Sequence, residues 1–558
     1  MARLVGLLLA GVLVAACGRT NKNGQLGTET GGAGQAGATG EAAASSGGQP
    51  ASCVAPAKLG RAGLRPLGQA ELRNELSVFA DPLADLELPA RFSRIYDLYD
   101  RALDSDVFEL DTAFLNKHAA FVAGLTERVT TDATRLGELL GCDVASDAEG
   151  CKARLFDFVM DRLFRGLADD AKAATIAAVF DEAEQRSGGF QGGAKAVLDV
   201  ALQAPEFLYH SERGRPVNDA GVDKLALTDV ELASSLSFLL WGSGPDAELL
   251  RTARAGGLSE PAELAAAARR LLADPRAERG VGRFYRELLG IDEGRRFDAD
   301  SGVAPDLLAL MDSEFSSFVG HATLDPGKGD VASLLEPVSW VNGTLADYYG
   351  WSEVAGDAFQ PVALDATRYA GLLTLPAWLT RASGPGTTHP SVRGWWVARG
   401  LLCRSVPAEP EGVNEAAGPP GMTERQRLAE HGANAVCAGC HQSVDPPGLA
   451  LEHFDALGRY REDDDGLTID TSELPTFDGH GSFDGLRGLA DQVVAASDAR
   501  FCLAQQWTRF ALGPAALGES ASDCPTELEQ LATRGLSVPE LLVALVQTEA
   551  FRFRAPSQ

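Results

Sequence analysis

Along most of this chain the apolar positions recur three or four residues apart, and they seldom alternate as a half-buried strand would. In GQAELRNELSVFAD, Leu72, Leu76 and Phe79 fall on one helical face. After Cys151, the residues Leu155, Phe156, Val159, Met160, Leu163 and Phe164 repeat at i, i+1, i+4, i+5, i+8 and i+9, an amphipathic helix. Helix starts are marked as well. Thr228-Asp229-Val230-Glu231 is a capping box ahead of LASSLSFLLW, the two side chains satisfying backbone N–H groups that the first turn leaves unpaired. Ser259-Glu260-Pro261 opens a helix through Leu264 to Leu272 that stops before Asp274-Pro275. Thr423-Glu424-Arg425-Gln426 caps a helix carrying Leu428 and His431, and Ser537-Val538-Pro539-Glu540 caps the last one. The pattern predicts a mainly α fold of several helical-bundle units.

Breaks in the pattern suggest where the units part. RGRPVNDAGVDK (213–224) and the Pro/Gly-rich VPAEPEGVNEAAGPPG (406–421) read as linkers. There is also an internal echo. LQAPEFLY (202–209) and VQTEAFRF (546–553) each follow a Cys-containing helix, a variable loop and a second amphipathic helix. They read as two copies of one packing unit or as coincidentally similar helix ends.

The N-terminus changes the setting. A short positive stretch, Met1-Ala2-Arg3, precedes an apolar run from Leu4 to Ala16 that is too short to span a bilayer and suits an export signal. It ends in Leu13-Val14-Ala15-Ala16-Cys17, which resembles a lipobox, with cleavage before Cys17 and lipid on its sulfur. An ordinary secretory signal with a chance cysteine is the alternative. Gly18 is not the Asp that often retains lipoproteins in the inner membrane, so the outer membrane or the periplasmic face is the expected location. The following Gly, Ala, Ser, Thr and Gln residues, to about residue 55, read as a flexible tether that wanders some 30–35 Å from its anchor at about 5–6 Å × √n. No later segment is long and apolar enough for a second membrane anchor. A net charge of −29 over 558 residues excludes the phosphate backbone of nucleic acid as a partner.

Export makes the nine cysteines informative. Cys437-Ala438-Gly439-Cys440-His441 has the spacing used to attach haem covalently: two thiols able to add across porphyrin vinyl groups, and an adjacent imidazole for the iron. Zinc is the main alternative, since thiolate and imidazole suit it, but it would need a fourth ligand, and no second closely spaced Cys/His pair occurs. A redox-active CxxC disulfide is the third reading. With Cys17 lipidated and Cys437 and Cys440 on haem, six cysteines remain. Proximity pairs Cys142 with Cys151 and Cys502 with Cys524, which leaves Cys53 and Cys403 to each other by elimination.

The partner on the other face of the iron is open, with Met422, His453, His480 and His389 as candidates; His431 lies too close before the motif to reach round the ring. Arg425, Arg459 and Arg461 could pair with haem propionates. Asp445-Pro446-Pro447-Gly448 reads as a turn ending the haem helix. The acidic run Glu462-Asp463-Asp464-Asp465-Gly466 fails as an EF-hand, because Arg461 and Ser472 occupy loop positions that need carboxylates, and it reads as a solvated loop. There is no nucleotide-binding glycine loop, no GxSxG and no HExxH.

These stretches resemble a known set of domains. CAGCHQSVDPPGLALEHFDALGRYRE (within 370–472) is similar to the domain of unknown function 1588, and LTDVELASSLSFLLWGSGPDAELLRTARAGGLS (within 224–351) to domain 1592. The block 142–212 is similar to domain 1595, the stretch 480–555 to domain 1585, and LRPLGQAELRNEL (within 56–141) more faintly to domain 1587. The resemblance implies an exported planctomycete or myxobacterial protein with a small cytochrome c-like segment near its C-terminus. It assigns no reaction. The expectation is a lipid-anchored protein with one haem c that passes electrons to an unidentified redox partner protein. The alternatives are a redox enzyme using an open iron position on small molecules, or a surface scaffold with a structural metal.

Overall fold

Each capping motif read above starts a helix. In this computed structural model the Thr228 N–H donates to the Glu231 carboxylate at 2.8 Å while the Glu231 N–H donates to Thr228 Oγ1 at 3.3 Å, and Asp229–Trp241 follows. The same exchange at Thr423 and Gln426 opens Glu424–Gly432, and the Ser537 N–H bonds Glu540 at the head of Val538–Leu545. That helix is not the last, because Thr548 caps a further turn, Glu549–Arg552. The structure describes residues 59–60, 63–79, 112–187, 189–219, 221–291, 304–351, 354–384, 387–406, 421–476, 481–513 and 526–556. The chain divides into residues 1–52 and 53–558, and only the second unit contains described residues; the export signal, Cys17 and the tether to residue 55 lie outside them.

The apolar stripes are buried as their spacing requires. Leu72, Leu76 and Phe79 lie on Gln69–Leu76 and the 3-10 turn Ser77–Phe79, all buried. Leu155, Val159 and Leu163 line one side of Ala148–Asp157 and its continuation Phe158–Leu163, a π-helical stretch whose wider turn keeps every fourth residue inward. The core has two main parts. One gathers side chains from Leu72 to Leu208; the other runs from Leu227 to Phe551 and includes Phe284 stacked on Trp507 at 3.7 Å. No described helix is long and apolar enough to cross a membrane.

Strands are few and short, but they close the fold. The stretch 213–224, which reads as a linker, is instead mostly hairpin: Arg215–Asp219 pairs antiparallel with Val222–Ala226, and Phe553–Arg554 joins on the other side of the second strand. Gly63–Pro66 pairs with Tyr209–Glu212. The internal echo has a structural counterpart. Pro205–Leu208 leads into Tyr209–Glu212 as Glu549–Arg552 leads into Phe553–Arg554. A buried arginine satisfies the exposed carbonyls of each short helix, Arg165 at Phe207 (3.1 Å) and Arg554 at Ala550 and Phe551 (3.0 and 3.1 Å). Glu212 then grips Arg554 with both oxygens, at 2.7 and 2.8 Å, and the Ala555 N–H donates to the Gly60 carbonyl at 2.8 Å.

A disulfide joins Cys142 to Cys151. The expected Cys502–Cys524 bridge is corrected: Cys502 is bonded to Cys403, which also removes the pairing of Cys403 with Cys53. Cys403 follows the turn Val397–Leu401, which packs on the helix Ser497–Leu512 and brings the two Cα atoms to 5.2 Å. Closeness in space, set by helix packing, outweighs closeness along the chain. Cys53 and Cys524 lie outside the described residues.

Candidate functional site

The CxxCH pentad sits on the helix Ala435–Leu449, and Asp445-Pro446-Pro447-Gly448 continues that helix instead of turning out of it. Two prolines remove two N–H donors and would ordinarily end a helix. Tertiary packing holds this one. The helix Pro390–Trp396 crosses it so closely that a Cβ on Gly394 would stand 1.6 Å from the Val444 carbonyl oxygen, and one on Gly448 would stand 1.8 Å from the Pro390 carbonyl oxygen. Only glycine permits two backbones to meet there. Ala398, Val406, Val444 and Trp395 form a small apolar cluster beside the crossing.

Continuing the helix through Asp445 has a chemical result. Asp445 stands four residues after His441, one turn on, and its carboxylate receives the His441 Nδ1–H at 2.9 and 3.0 Å. Ser391, on the crossing helix, donates its hydroxyl to the same carboxylate at 2.7 Å. Asp445 is 8% exposed; burial pushes its carboxyl above the usual range, while the Ser391 hydroxyl and His441 pull it back. With Nδ1 committed, His441 keeps the Nε2 lone pair for a metal. At about 100° per residue, Cys437, Cys440 and His441 fall within about a third of the helix circumference. Both thiols are half-buried, and neither is in a disulfide.

The other candidates are distributed as follows. His453 bonds the Arg461 carbonyl through Nδ1 at 2.9 Å and stacks on Tyr460. Met422 is half-buried just before the cap Thr423, His389 stands at the N-cap position of Pro390–Trp396 without a side-chain capping bond, and His480 lies outside the described residues. The ring brought against His441 is that of His431, with centroids 4.5 Å apart. The three arginines have protein partners: Arg425 pairs with Asp470 at 2.9 Å, Arg459 with Asp455 at 2.8 Å, and Arg461 with Asp464. The acidic run is a tight hairpin, Asp463–Asp464 against Leu467–Thr468, with Asp465 and Gly466 both at positive φ (49° and 80°) as a two-residue turn requires.

Two features were not read from the sequence. Arg393, fully buried, donates to the carbonyls of Leu451 (3.0 Å), Phe454 (2.8 Å) and Asp455 (2.9 Å), and thereby holds the chain leaving the CxxCH helix. Burial lowers Arg393 to about 10 and raises nearby Glu452, so desolvation outweighs the attraction between them and their value is geometric. The second is a cleft lined by Tyr349, Trp351, Tyr369, Thr374, Gly458 and Tyr460, with Glu314 at its base. Glu314 is 1% exposed and receives hydroxyls from Ser339 and from Tyr349 at 2.6 Å. Burial lifts its carboxyl to about 7 against the pull of those two hydroxyls. A polar residue on a helical stripe would have been the only sequence signal for either.

Among the described residues no group of three His, Cys, Asp or Glu side chains converges as a metal-holding cluster. Covalent haem asks the protein for two thiols on one helix turn and an adjacent imidazole with an oriented ring, and these residues supply them. Residues 369–464, which include the CxxCH helix, match the family described as PSCyt3, protein of unknown function (DUF1588). Residues 227–351 match the family described as PSD4, protein of unknown function (DUF1592). No curated protein and no solved structure matches the chain.

Proposed function

We propose that this chain is an exported, lipid-anchored protein that carries one covalently attached haem and transfers electrons in the cell envelope. The observation that carries the reading is the order within one helix: two unbridged thiols at Cys437 and Cys440, then His441 with Nδ1 held by Asp445 and Nε2 left to bind iron. Cys437 and Cys440 would hold the ring through thioethers, and His441 would be the proximal ligand. Haem, when bound, supplies a one-electron iron couple. The protein's part is to fix the imidazole's orientation and to hold the helix rigid through the Gly394 and Gly448 crossing. Electrons would pass to an unidentified redox partner protein.

Full-length protein made in a host that matures c-type cytochromes tests this directly. A c-type pyridine haemochrome at one haem per chain is expected, lost in Cys437→Ala/Cys440→Ala. A purified membrane-fraction protein with zinc or no haem would end the reading. Carbon monoxide added to the reduced protein sorts electron transfer from the second reading, a redox enzyme with an open iron position, since only an open position binds it readily.

A further inference from the structure

We propose that Asp445 is a positioning residue that makes His441 a stronger electron donor to iron and so lowers the potential of the site; this rests on the haem reading above. The geometry is specific. Asp445 presents both carboxylate oxygens to His441 Nδ1, at 2.9 and 3.0 Å, and is itself oriented by the Ser391 hydroxyl at 2.7 Å. The contact is set by backbone, because His441 and Asp445 are one turn apart and the Gly394 crossing delivers Ser391 to the same oxygen. A backbone carbonyl in this place would only orient the ring. A carboxylate also places negative charge on the N–H, and in a buried setting the imidazole shares that charge and donates more strongly through Nε2. A stronger donor favours the more oxidised metal, so the potential falls.

The arrangement explains why the chain keeps Asp-Pro-Pro-Gly inside a helix that prolines disfavour. Asp445 must stay helical to reach His441, Pro446 and Pro447 follow it, and Gly448 admits the Pro390 backbone that carries Ser391. A plain turn at this point would swing the carboxylate away from the ring.

The test uses haem-loaded, full-length protein and reads the midpoint potential by spectroelectrochemistry at fixed pH. Asp445→Asn keeps a hydrogen-bonding side chain but removes the charge. It is expected to keep its haem and move to a more positive potential by about a tenfold change in the oxidation equilibrium, ~59 mV for one electron. Asp445→Glu should return the potential toward wild type, and Asp445→Ser, which also lacks the charge, should shift it the same way as Asp445→Asn. Full haem content with an unchanged potential in Asp445→Asn overturns the proposal. If Asp445→Asn does not accumulate, Asp445→Ser decides: a positive shift supports the proposal, and an unchanged or more negative potential overturns it. Wild-type protein without haem c would instead overturn the reading beneath it, and this proposal with it; the haemochrome distinguishes that failure from the others.

Discussion

Gly394 and Gly448 decide how near two backbones come, and so whether Ser391 reaches Asp445. Either glycine changed to alanine puts a methyl within 2 Å of a carbonyl oxygen that belongs to a packed helix. Neither neighbour is a flexible side chain that could swing aside. Gly394→Ala is expected to cost about 3 kcal/mol or more in urea unfolding, at the upper end for overpacked sites; a curve superimposable on wild type would show that the crossing is not tight. At this scale the sequence was partly legible. The CxxCH spacing is a local signal and could be read from five residues. Asp445 sits at i+4 from His441, a spacing equally visible, but two prolines beside it argue for a turn on local propensity. What overrides that propensity is a contact with residues some fifty positions away.

Helices were the most readable elements, because caps and apolar period both report on neighbours within one or two turns. The hairpin at 215–226 was not readable: its Pro, Asn, Asp and Gly content is that of a linker, yet its two strands pair with each other and Phe553–Arg554 extends the second. The Cys502–Cys524 pairing failed for the same reason, while the Cys142–Cys151 pairing held. Cys403 and Cys502 are 99 residues apart in sequence and meet only once the helices dock. A cross-link closing so long a loop restricts the unfolded chain strongly, by about 4–5 kcal/mol in the chain-entropy account. Cys403→Ser/Cys502→Ser should therefore lose about 2–5 kcal/mol in non-reducing chemical denaturation. Loss of only a few tenths would mean that the bridge adds little to packing already in place.

At the scale of the molecule, Glu314 ties stability to pH. It lies on the long helix Pro305–Leu324, within the matched residues 227–351, and lines a cleft together with Tyr369 and Tyr460 from the matched residues 369–464. Its folded value of about 7 lies above the ordinary 4.5. Below pH 4.5 both folded and unfolded chains hold the proton, and the group's full contribution is present. Between 4.5 and 7 the unfolded chain gives up its proton first, so stability falls as pH rises; above 7 the loss is complete and flat. At about 1.4 kcal/mol per pH unit the loss is on the order of 3 kcal/mol. Glu314→Gln should flatten this part of the profile, read as urea midpoints at pH 5 and pH 8. An equal slope in the two proteins would place the proton elsewhere.

The bond from the Ala555 N–H to the Gly60 carbonyl, with Glu212 gripping Arg554 beside it, makes the folded part nearly a closed ring. A linker of a few residues from 556 to 59 would close it with little loop entropy. The chain could then be opened elsewhere, and the Ala555–Gly60 contact would lie within one continuous loop. A permutant opened at the exposed Asp465-Gly466 turn should fold and keep its pentad, since that turn holds no part of the helix crossing. In such a molecule the order of the segments along the chain would change while their neighbours in space would not.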